Sequence, residues 1–311
     1  MKKISIRVLT LVAGVIVSAA AAYAQSSEAM PSLRINHDGA AAGMGFAGVA
    51  SSSRIAYSSF RNSAMIPFSE EKVGAGVSFQ GWAPNGEKMT NIALGSAFRI
   101  GENLGLSVGG AYLGGEPYDV YDATGTMKGT DKSSDMVFNA GIGYRIVDFL
   151  SVGVNARYAS ESLSASDSYS AFGADVFVAG HFSDLSVAAG VSSIGSSVTS
   201  ASGASFSLPT SATLGLDYSK TFAEVHGIEV ALDADYFFSG NLTAALGAQY
   251  SFNDMVFVRG GYHFGTEGAA LPSFMTVGLG AKFVGINIDF AYLTGNELIG
   301  NTLTVGLGYS F

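Results

Sequence analysis

The stretch NTLTVGLGYSF, residues 301–311, alternates apolar residues with small or hydroxylated ones. Its apolar face consists of Leu303, Val305, Leu307, Tyr309 and Phe311. A period of two is typical of a β-strand, because successive side chains of a strand point to opposite faces. Strands that cross a bilayer in a β-barrel have an apolar face toward the lipid and a small or polar face toward the lumen. The stretch therefore predicts a barrel strand.

The same alternation recurs upstream, which makes about fourteen such segments in all, an even number as in single-chain bacterial barrels. The segments lie near 72–82, 89–99, 104–113, 134–145, 150–160, 170–182, 185–194, 211–222, 227–237, 242–252, 255–264, 274–283, 285–292 and 301–311. Most are long enough for a tilted strand to cross a membrane. The sequence predicts an all-β fold, a transmembrane antiparallel β-barrel of about fourteen strands over 72–311.

The connections between these segments alternate in length. Tight turns such as GEN, VD, SD, ND and VG alternate with longer polar loops at 114–134, 160–169, 195–210 and 265–273. Bacterial barrels place short turns in the periplasm and long loops outside the cell. Aromatic residues collect near both ends of the segments, as in the two interfacial belts of membrane barrels. We expect both chain termini on the periplasmic side.

The first 24 residues have the pattern of a secretory signal peptide. Lys2, Lys3 and Arg7 precede a short apolar run that closes on Ala22-Tyr23-Ala24, a small-x-small cleavage site. The alternative, an anchoring helix, requires roughly 20 apolar residues, and the apolar run in this sequence is shorter than that. We predict cleavage near Ala24, export, and an integral location in the outer membrane.

Composition narrows the function classes. The chain has no cysteine, which removes disulfides and thiolate metal sites. Its net charge is −9, and nucleic acids are bound by clustered lysine and arginine, so no nucleic-acid partner is expected. The expected partners are outer-membrane lipid and the barrel-assembly machinery. Tyr309 and Phe311 match the terminal aromatic signal by which such barrels are recognised for insertion.

Residues 40–53, AAAGMGFAGVASSS, contain Gly43, Gly45 and Gly48 in the spacing G-x-G-x-x-G. A dinucleotide-binding loop has this spacing, but it also follows a strand and opens a helix. Neither context is evident here, because the preceding stretch is polar and Pro31 interrupts it. The glycines therefore indicate another role, such as close approach of two backbones.

Residues 41–79, AAGMGFAGVASSSRIAYSSFRNSAMIPFSEEKVGAGVSF, resemble the opening of the FadL family of fourteen-stranded outer-membrane barrels. The family's Asn-Pro-Ala element appears as Asn62-Ser63-Ala64, without its proline. The resemblance implies that 25–71 form a hatch inside the barrel, with Gly43, Met44, Gly45, Gly48 and Asn62 as its characteristic residues. A free periplasmic tail is the alternative.

The remainder is most similar to the PorV/PorQ branch of that group. The stretches that carry this resemblance are 133–163, 170–182 and 277–311. It implies a non-enzymatic helper of type IX protein secretion or surface attachment, with a secretion translocon or exported proteins as partners. The FadL resemblance implies the alternative, an uptake channel for hydrophobic small molecules such as long-chain fatty acids or aromatic compounds, with a hatch and a lateral opening. The outer loops are polar, whereas an apolar ligand needs a largely apolar pocket.

Ionisable residues are predicted on the lumen face of the strands. They include Arg145, Arg157, Asp175, Asp233, Arg259, His263 and Asp289. One interpretation is a salt-bridge network that fills the barrel and holds the hatch, because charges away from water need partners. The other is a lumen that steers a polar passenger. His263 could act as a general base, but no nucleophile motif accompanies it. No catalytic site, cofactor or metal is predicted.

Replacing Phe311 with lysine should impair insertion, because the terminal aromatic would no longer be presented to the assembly machinery. The measurement is heat-modifiable migration in gels together with protein abundance in outer-membrane fractions. Phe311→Tyr, which keeps the aromatic ring, is the control. Unchanged migration and abundance of the lysine variant would show that the aromatic is dispensable.

Overall fold

A computed structural model describes residues 28–82, 88–164, 167–200, 202–266, 271–295, 299 and 301–311. The predicted signal peptide, 1–24, lies outside the described residues. Eighteen strands occur in the described residues: β1 (Val73–Trp82), β2 (Met89–Ile100), β3 (Leu104–Gly114), β4 (Tyr118–Tyr121), β5 (Met127–Asp131), β6 (Ser134–Val147), β7 (Leu150–Ser164), β8 (Asp167–Phe182), β9 (Leu185–Gly195), β10 (Val198–Thr199), β11 (Ser205–Phe206), β12 (Ser211–Phe222), β13 (His226–Phe237), β14 (Leu242–Phe252), β15 (Val256–Gly265), β16 (Phe274–Phe283), β17 (Ile286–Thr294) and β18 (Thr302–Ser310).

Fourteen of these strands form one closed antiparallel barrel, which confirms the predicted fold class. Each barrel strand pairs with its neighbours in chain order, and β1 pairs with β18 to close the circle. The other four strands form two small hairpins, β4–β5 and β10–β11, in the long loops. Among the described residues, no helix is long and apolar enough to cross a membrane.

The alternation of the sequence becomes the two faces of the wall. In β16, Met275, Val277 and Leu279 point outward and are about three-fifths exposed, whereas Thr276 points into the barrel and is buried. The outward face is therefore apolar, as contact with lipid requires. The end of the chain closes this wall: the Phe311 N–H donates to the Val73 carbonyl at 3.1 Å, and the Val73 N–H donates to the Phe311 carbonyl at 3.0 Å.

One predicted loop is wrong. In the polar stretch 160–169, the described residues 160–164 and 167–169 continue β7 and β8, whose pairing extends to Ser164 and Asp167 with a bulge after Ser162. Strand pairing needs only backbone hydrogen bonds, so a polar stretch beyond the membrane can remain a strand where both faces meet water. Polarity alone therefore did not mark the end of these strands.

The segment before β1, residues 28–71, lies within the barrel and is called the N-terminal segment below. It contains a short helix, Gly39–Ala42, and 3-10 turns at Pro31–Arg34, Ser58–Phe60 and Ser63–Phe68. The helix packs against β16, β17 and β18, and the last 3-10 turn packs against β3, β6 and β7. Most of the segment is buried.

The direction of this segment differs from the expectation that both termini are periplasmic. The Ala29 N–H donates to the Ser207 carbonyl at 2.9 Å, and Met30 packs against Val198 and Leu208. These partners belong to the long loop between β9 and β12, so the described chain starts at the end of the barrel that carries the long loops. The reason is apolar packing beneath that loop, which the sequence pattern did not indicate.

The absence of cysteine allows the orientation to be tested with single cysteines. Ala123→Cys lies in the exposed turn of the β4–β5 hairpin, and Asp148→Cys lies in the exposed turn between β6 and β7. A membrane-impermeant maleimide should label only Ala123→Cys in intact cells, because the long loops are extracellular. Both variants should react after lysis. Labelling of Asp148→Cys in intact cells would contradict the topology.

Candidate functional site

The glycine-rich turn of the N-terminal segment lies against the barrel wall. The Gly45 N–H donates to the Thr276 hydroxyl oxygen at 2.8 Å, and that hydroxyl donates to the Gly43 carbonyl at 3.0 Å. Gly45 has φ 69°, and a Cβ there would lie 2.8 Å from the Tyr262 backbone nitrogen. Gly48 has φ 126°. Only glycine adopts these conformations without strain.

This geometry does not suit a nucleotide. The turn follows a four-residue helix rather than a strand, and the face of Gly45 is occupied by the backbone of the wall. A phosphate-binding loop instead presents free backbone N–H groups at a helix N-terminus. Gly43 and Gly45 therefore reflect close packing of the segment on β15 and β16, whereas Gly48 is required by its positive φ.

Met44 lies at the centre of this contact. Its side chain is fully buried with Ala47, Ala231 and Ala245. The wall provides space through Gly247 and Gly261, because a Cβ on Gly261 would lie 2.2 Å from the Met44 carbonyl carbon. Sequence analysis selected the glycines of the segment but missed those of the wall. The sequence did carry a signal for them, since these glycines fall on the lumen face in the middle of predicted strands.

Asp233 on β13 anchors the turn. One of its carboxylate oxygens accepts the Gly48 N–H at 2.8 Å and the Val49 N–H at 2.9 Å. Asn62 then joins two parts of the segment, since its side chain accepts the Ala64 N–H at 3.0 Å and donates to the Val49 carbonyl at 3.0 Å. The serine in place of the family's proline leaves this junction intact.

A polar network extends from the segment to strands β13 to β17. Ser51 donates to Glu229 at 2.8 Å, and Arg54 donates to the Gln249 side-chain oxygen at 3.0 Å. Arg259 donates to the same oxygen at 2.6 Å and forms an ion pair with Asp289 at 2.5 Å. Charge-assisted hydrogen bonds of this kind are stronger than neutral ones.

A second network lies on β7 and β8. Arg157 forms an ion pair with Asp175 at 2.6 Å, and it also donates to the Phe60 carbonyl at 2.8 Å. Asp175 is fully buried, and its other oxygen accepts the Ser193 N–H at 2.8 Å. The arrangement holds the 3-10 turn Ser58–Phe60 against the wall while satisfying both buried charges.

Two of the predicted lumen residues have different surroundings. Arg145 lies at the rim near the short turns and pairs with the exposed Glu102 at 3.3 Å, apart from both networks. His263 is buried, and its ring stacks on Phe274 at a centroid distance of 4.8 Å, with Phe46 at 6.0 Å. The His263 imidazole is enclosed by aromatic rings, so its role in this structure is packing. These surroundings are not typical of a general base, which needs hydrogen-bond reach to the proton that it removes.

The sequence analysis missed the charged residues of the segment itself, among them Arg54 and the pair of Arg61 with Asp38. Arg61 pairs with Asp38 at 3.1 Å and also donates to the Gly48 carbonyl, so it ties the start of the segment to its centre. Isolated charges within an alanine-, glycine- and serine-rich stretch were the available signal. Within the described ranges, no group of three or more histidine, aspartate and glutamate side chains could hold a metal ion.

Placing side chains at the glycine turn should displace the segment. We expect Gly43→Val with Gly45→Val to raise the conductance of the purified protein in planar bilayers, because each substitution puts a Cβ against wall backbone. Positive φ costs about 1–2 kcal/mol for a non-glycine residue, and overpacking costs about 1–3 kcal/mol. Gly260→Val is the control, since a Cβ there has nothing within 4 Å. Equal conductance of all three proteins would exclude a plug role for the turn.

Solved structures with a similar fold are outer-membrane barrels. The Pseudomonas putida toluene transporter TodX is 15% identical with a TM-score of 0.61, and the match covers 92% of this chain and 99% of that one. The monoaromatic hydrocarbon channel CymD is 16% identical with a TM-score of 0.60, over 88% and 97%. A Pseudomonas aeruginosa FadL homologue is 10% identical with a TM-score of 0.51, over 88% and 95%. At these identities the likeness shows the fold alone.

A comparison with curated proteins found no match. The family model described as type IX secretion system protein PorV matches residues 19–234, which is more than half of the sequence. The family and the FadL-like barrel agree with the predicted location in the outer membrane. The chain belongs to the PorV family of outer-membrane β-barrel proteins.

Proposed function

We propose that this protein is a non-enzymatic helper of type IX protein secretion or surface attachment that contacts exported proteins at its extracellular face. The family match supports this assignment. The observation that carries it is a barrel whose wall is continuous and whose lumen is occupied by the buried N-terminal segment. An occupied lumen is unsuited to the passage of a solute, which supports a function at the outer surface.

The hydrogen-bonded wall argues against lateral release of a ligand. Pairing of β2 with β3 runs without a shift from Thr90 to Ile100, and pairing of β3 with β6 is equally regular. Register shifts in the barrel occur at only three described places, after Arg145, Ser162 and Ala174. The first two adjoin hairpin turns. At the third, the Asp175 carboxylate accepts the Ser193 N–H and closes the bulge.

The fit between the segment and the wall argues against a pore. A Cβ on Gly143 would lie 2.0 Å from the Ser63 carbonyl oxygen, and one on Gly153 would lie 2.4 Å from the Ala64 nitrogen. On β2, a Cβ on Gly95 would lie 2.4 Å from the Ala56 carbonyl oxygen. Backbone contacts this close exclude water between segment and wall at these three places.

The outer loops provide a surface suited to a protein partner. The β4–β5 hairpin exposes Tyr118, Val120, Tyr121 and Met127, and Tyr121 is 58% exposed. The Tyr118 hydroxyl donates to the Leu163 carbonyl at 2.9 Å, which ties the hairpin to the end of β7. Aromatic residues and methionine are enriched in protein interfaces. The hairpin is therefore the surface that we assign to contact with exported proteins.

The alternative is FadL-like uptake of hydrophobic small molecules. The fold that this chain shares with TodX and CymD is the observation that favours it. Uptake requires the N-terminal segment to move, whereas the proposed helper works with the segment in place. The two functions can therefore be separated by fixing the segment to the wall.

The hydroxyl oxygens of Ser63 and Ser107 lie 2.8 Å apart, one on the segment and one on β3. Because the chain has no cysteine, Ser63→Cys with Ser107→Cys creates a single possible disulfide. Deletion of the gene should leave a type IX reporter protein inside the cell. The oxidised double variant should restore its appearance on the surface to the level given by the wild type.

The single variant Ser107→Cys is the matched control, and cells treated with a reductant test the disulfide itself. In parallel, accumulation of radiolabelled oleate and toluene is measured in the same strains. Uptake that disappears on oxidation and returns on reduction, with reporter export unaffected by gene deletion, would refute the proposed role and support the channel.

A further inference from the structure

A cavity of about 150 Å³ lies in the half of the lumen beneath the long loops. The start of the N-terminal segment, residues 33–37, forms one side, and β12, β13 and β14 contribute the other. Its aromatic walls include Phe46, Tyr57, Phe177 and Phe237. At about 30 Å³ for a water in the liquid, the space would hold about five waters or one small organic molecule.

Two carboxylates on β13 line this cavity without an ion pair. Asp233 uses one oxygen for the N–H groups of Gly48 and Val49, while its other oxygen is buried without a hydrogen-bond partner. Asp235 accepts the Thr213 hydroxyl at 2.5 Å. In the part of the chain that the structure describes, neither carboxylate has a lysine or arginine nitrogen within 4 Å.

Arg34 supplies unused donors on the same cavity. Its guanidinium lies over the Phe237 ring at 3.6 Å and pairs with Glu28 through one nitrogen. Only 4% of the side chain is exposed, and its Nε and Nη1 have no hydrogen-bond partner. A buried donor without a partner is destabilising, and more so when the group is charged. The unused edge of Arg34 is therefore suited to an acceptor that the chain does not provide.

The other guanidinium groups at the cavity are already neutralised. Arg61 pairs with Asp38, and Arg157 pairs with Asp175. Once these pairs and Arg34–Glu28 are set aside, Asp233 and Asp235 remain as lumen carboxylates without an ion pair. The ionised form of such a carboxylate is unfavourable unless a cation and further hydrogen bonds accompany it. The cavity thus has an acceptor side, a donor side and aromatic walls.

We propose that this cavity binds a small zwitterion, with its ammonium group between Asp233 and Asp235 and its carboxylate on Arg34. A free amino acid has this chemistry and suits the size of the space. The ammonium supplies N–H donors to the carboxylates, and the aromatic rings pack against the remaining carbon atoms. The cavity lies inside the barrel, in the half of the lumen beneath the long loops. Binding there would not involve the outer surface that we assign to exported proteins, so this site goes beyond the proposed secretion role and does not depend on it.

Isothermal titration of the purified full-length barrel in detergent provides the test, with L-alanine as the probe. N-acetyl-L-alanine lacks the ammonium and L-alaninamide lacks the carboxylate, so each removes one half of the proposed recognition. We expect saturable binding of L-alanine that weakens at least tenfold for either analogue. We also expect Asp235→Asn and Arg34→Gln each to weaken L-alanine binding at least tenfold.

Asp217→Asn is the matched control, because Asp217 is a buried carboxylate on neighbouring β12 that does not line the cavity. It should bind L-alanine as the wild type does. Heat-modifiable migration checks that each variant is folded, and Asp235→Asn avoids the contact that Asp233 makes with the segment. Absence of saturable binding would show a cavity filled by water alone. Equal binding by Asp235→Asn, or equal binding of both analogues, would also overturn the proposal.

Discussion

The structure depends on one constraint, that every backbone N–H and C=O group of the wall must find a partner because lipid offers none. A closed ring of antiparallel strands meets it, and the pairing of β1 with β18, completed by the hydrogen bonds between Phe311 and Val73, removes the last free edge. Every barrel strand is paired on both sides, so an opening in the wall would require backbone hydrogen bonds between two strands to break. The side chains can then divide into an apolar outer face and a polar inner one.

A ring of this size encloses a lumen that the wall itself does not fill. The N-terminal segment occupies it, and the contact is built from glycine on both sides. Gly45 brings backbone against Tyr262, and Gly261 does the same for Met44. Glycine is used here because two backbones approach each other more closely than a Cβ allows. Two polar networks, around Arg157 on one side and Arg259 on the other, fix the orientation of the segment.

These features support the proposed function at the surface. Networks that satisfy buried charges are costly to break, since removal of one partner leaves the other buried alone. A segment held in this way is suited to a static plug. The exposed apolar residues of the β4–β5 hairpin lie beyond the wall, where a protein partner can reach them. The proposed zwitterion site is compatible with this division, because it lies beneath the long loops.

The sequence by itself determined the strand pattern, because a lipid-facing wall imposes a period of two that is local and readable. All fourteen barrel strands followed from it, whereas the polar ends of β7 and β8 and the two loop hairpins, β4–β5 and β10–β11, were assigned to loops. The tertiary structure alone decided that the described part of the N-terminal segment starts beneath the long loop, where Ala29 bonds to Ser207. It alone also showed that the Asp233 carboxylate accepts the N–H groups of Gly48 and Val49. It also separated Arg145 from the central charges. These contacts join residues distant in the chain, and no local periodicity encodes which side chains meet across a lumen.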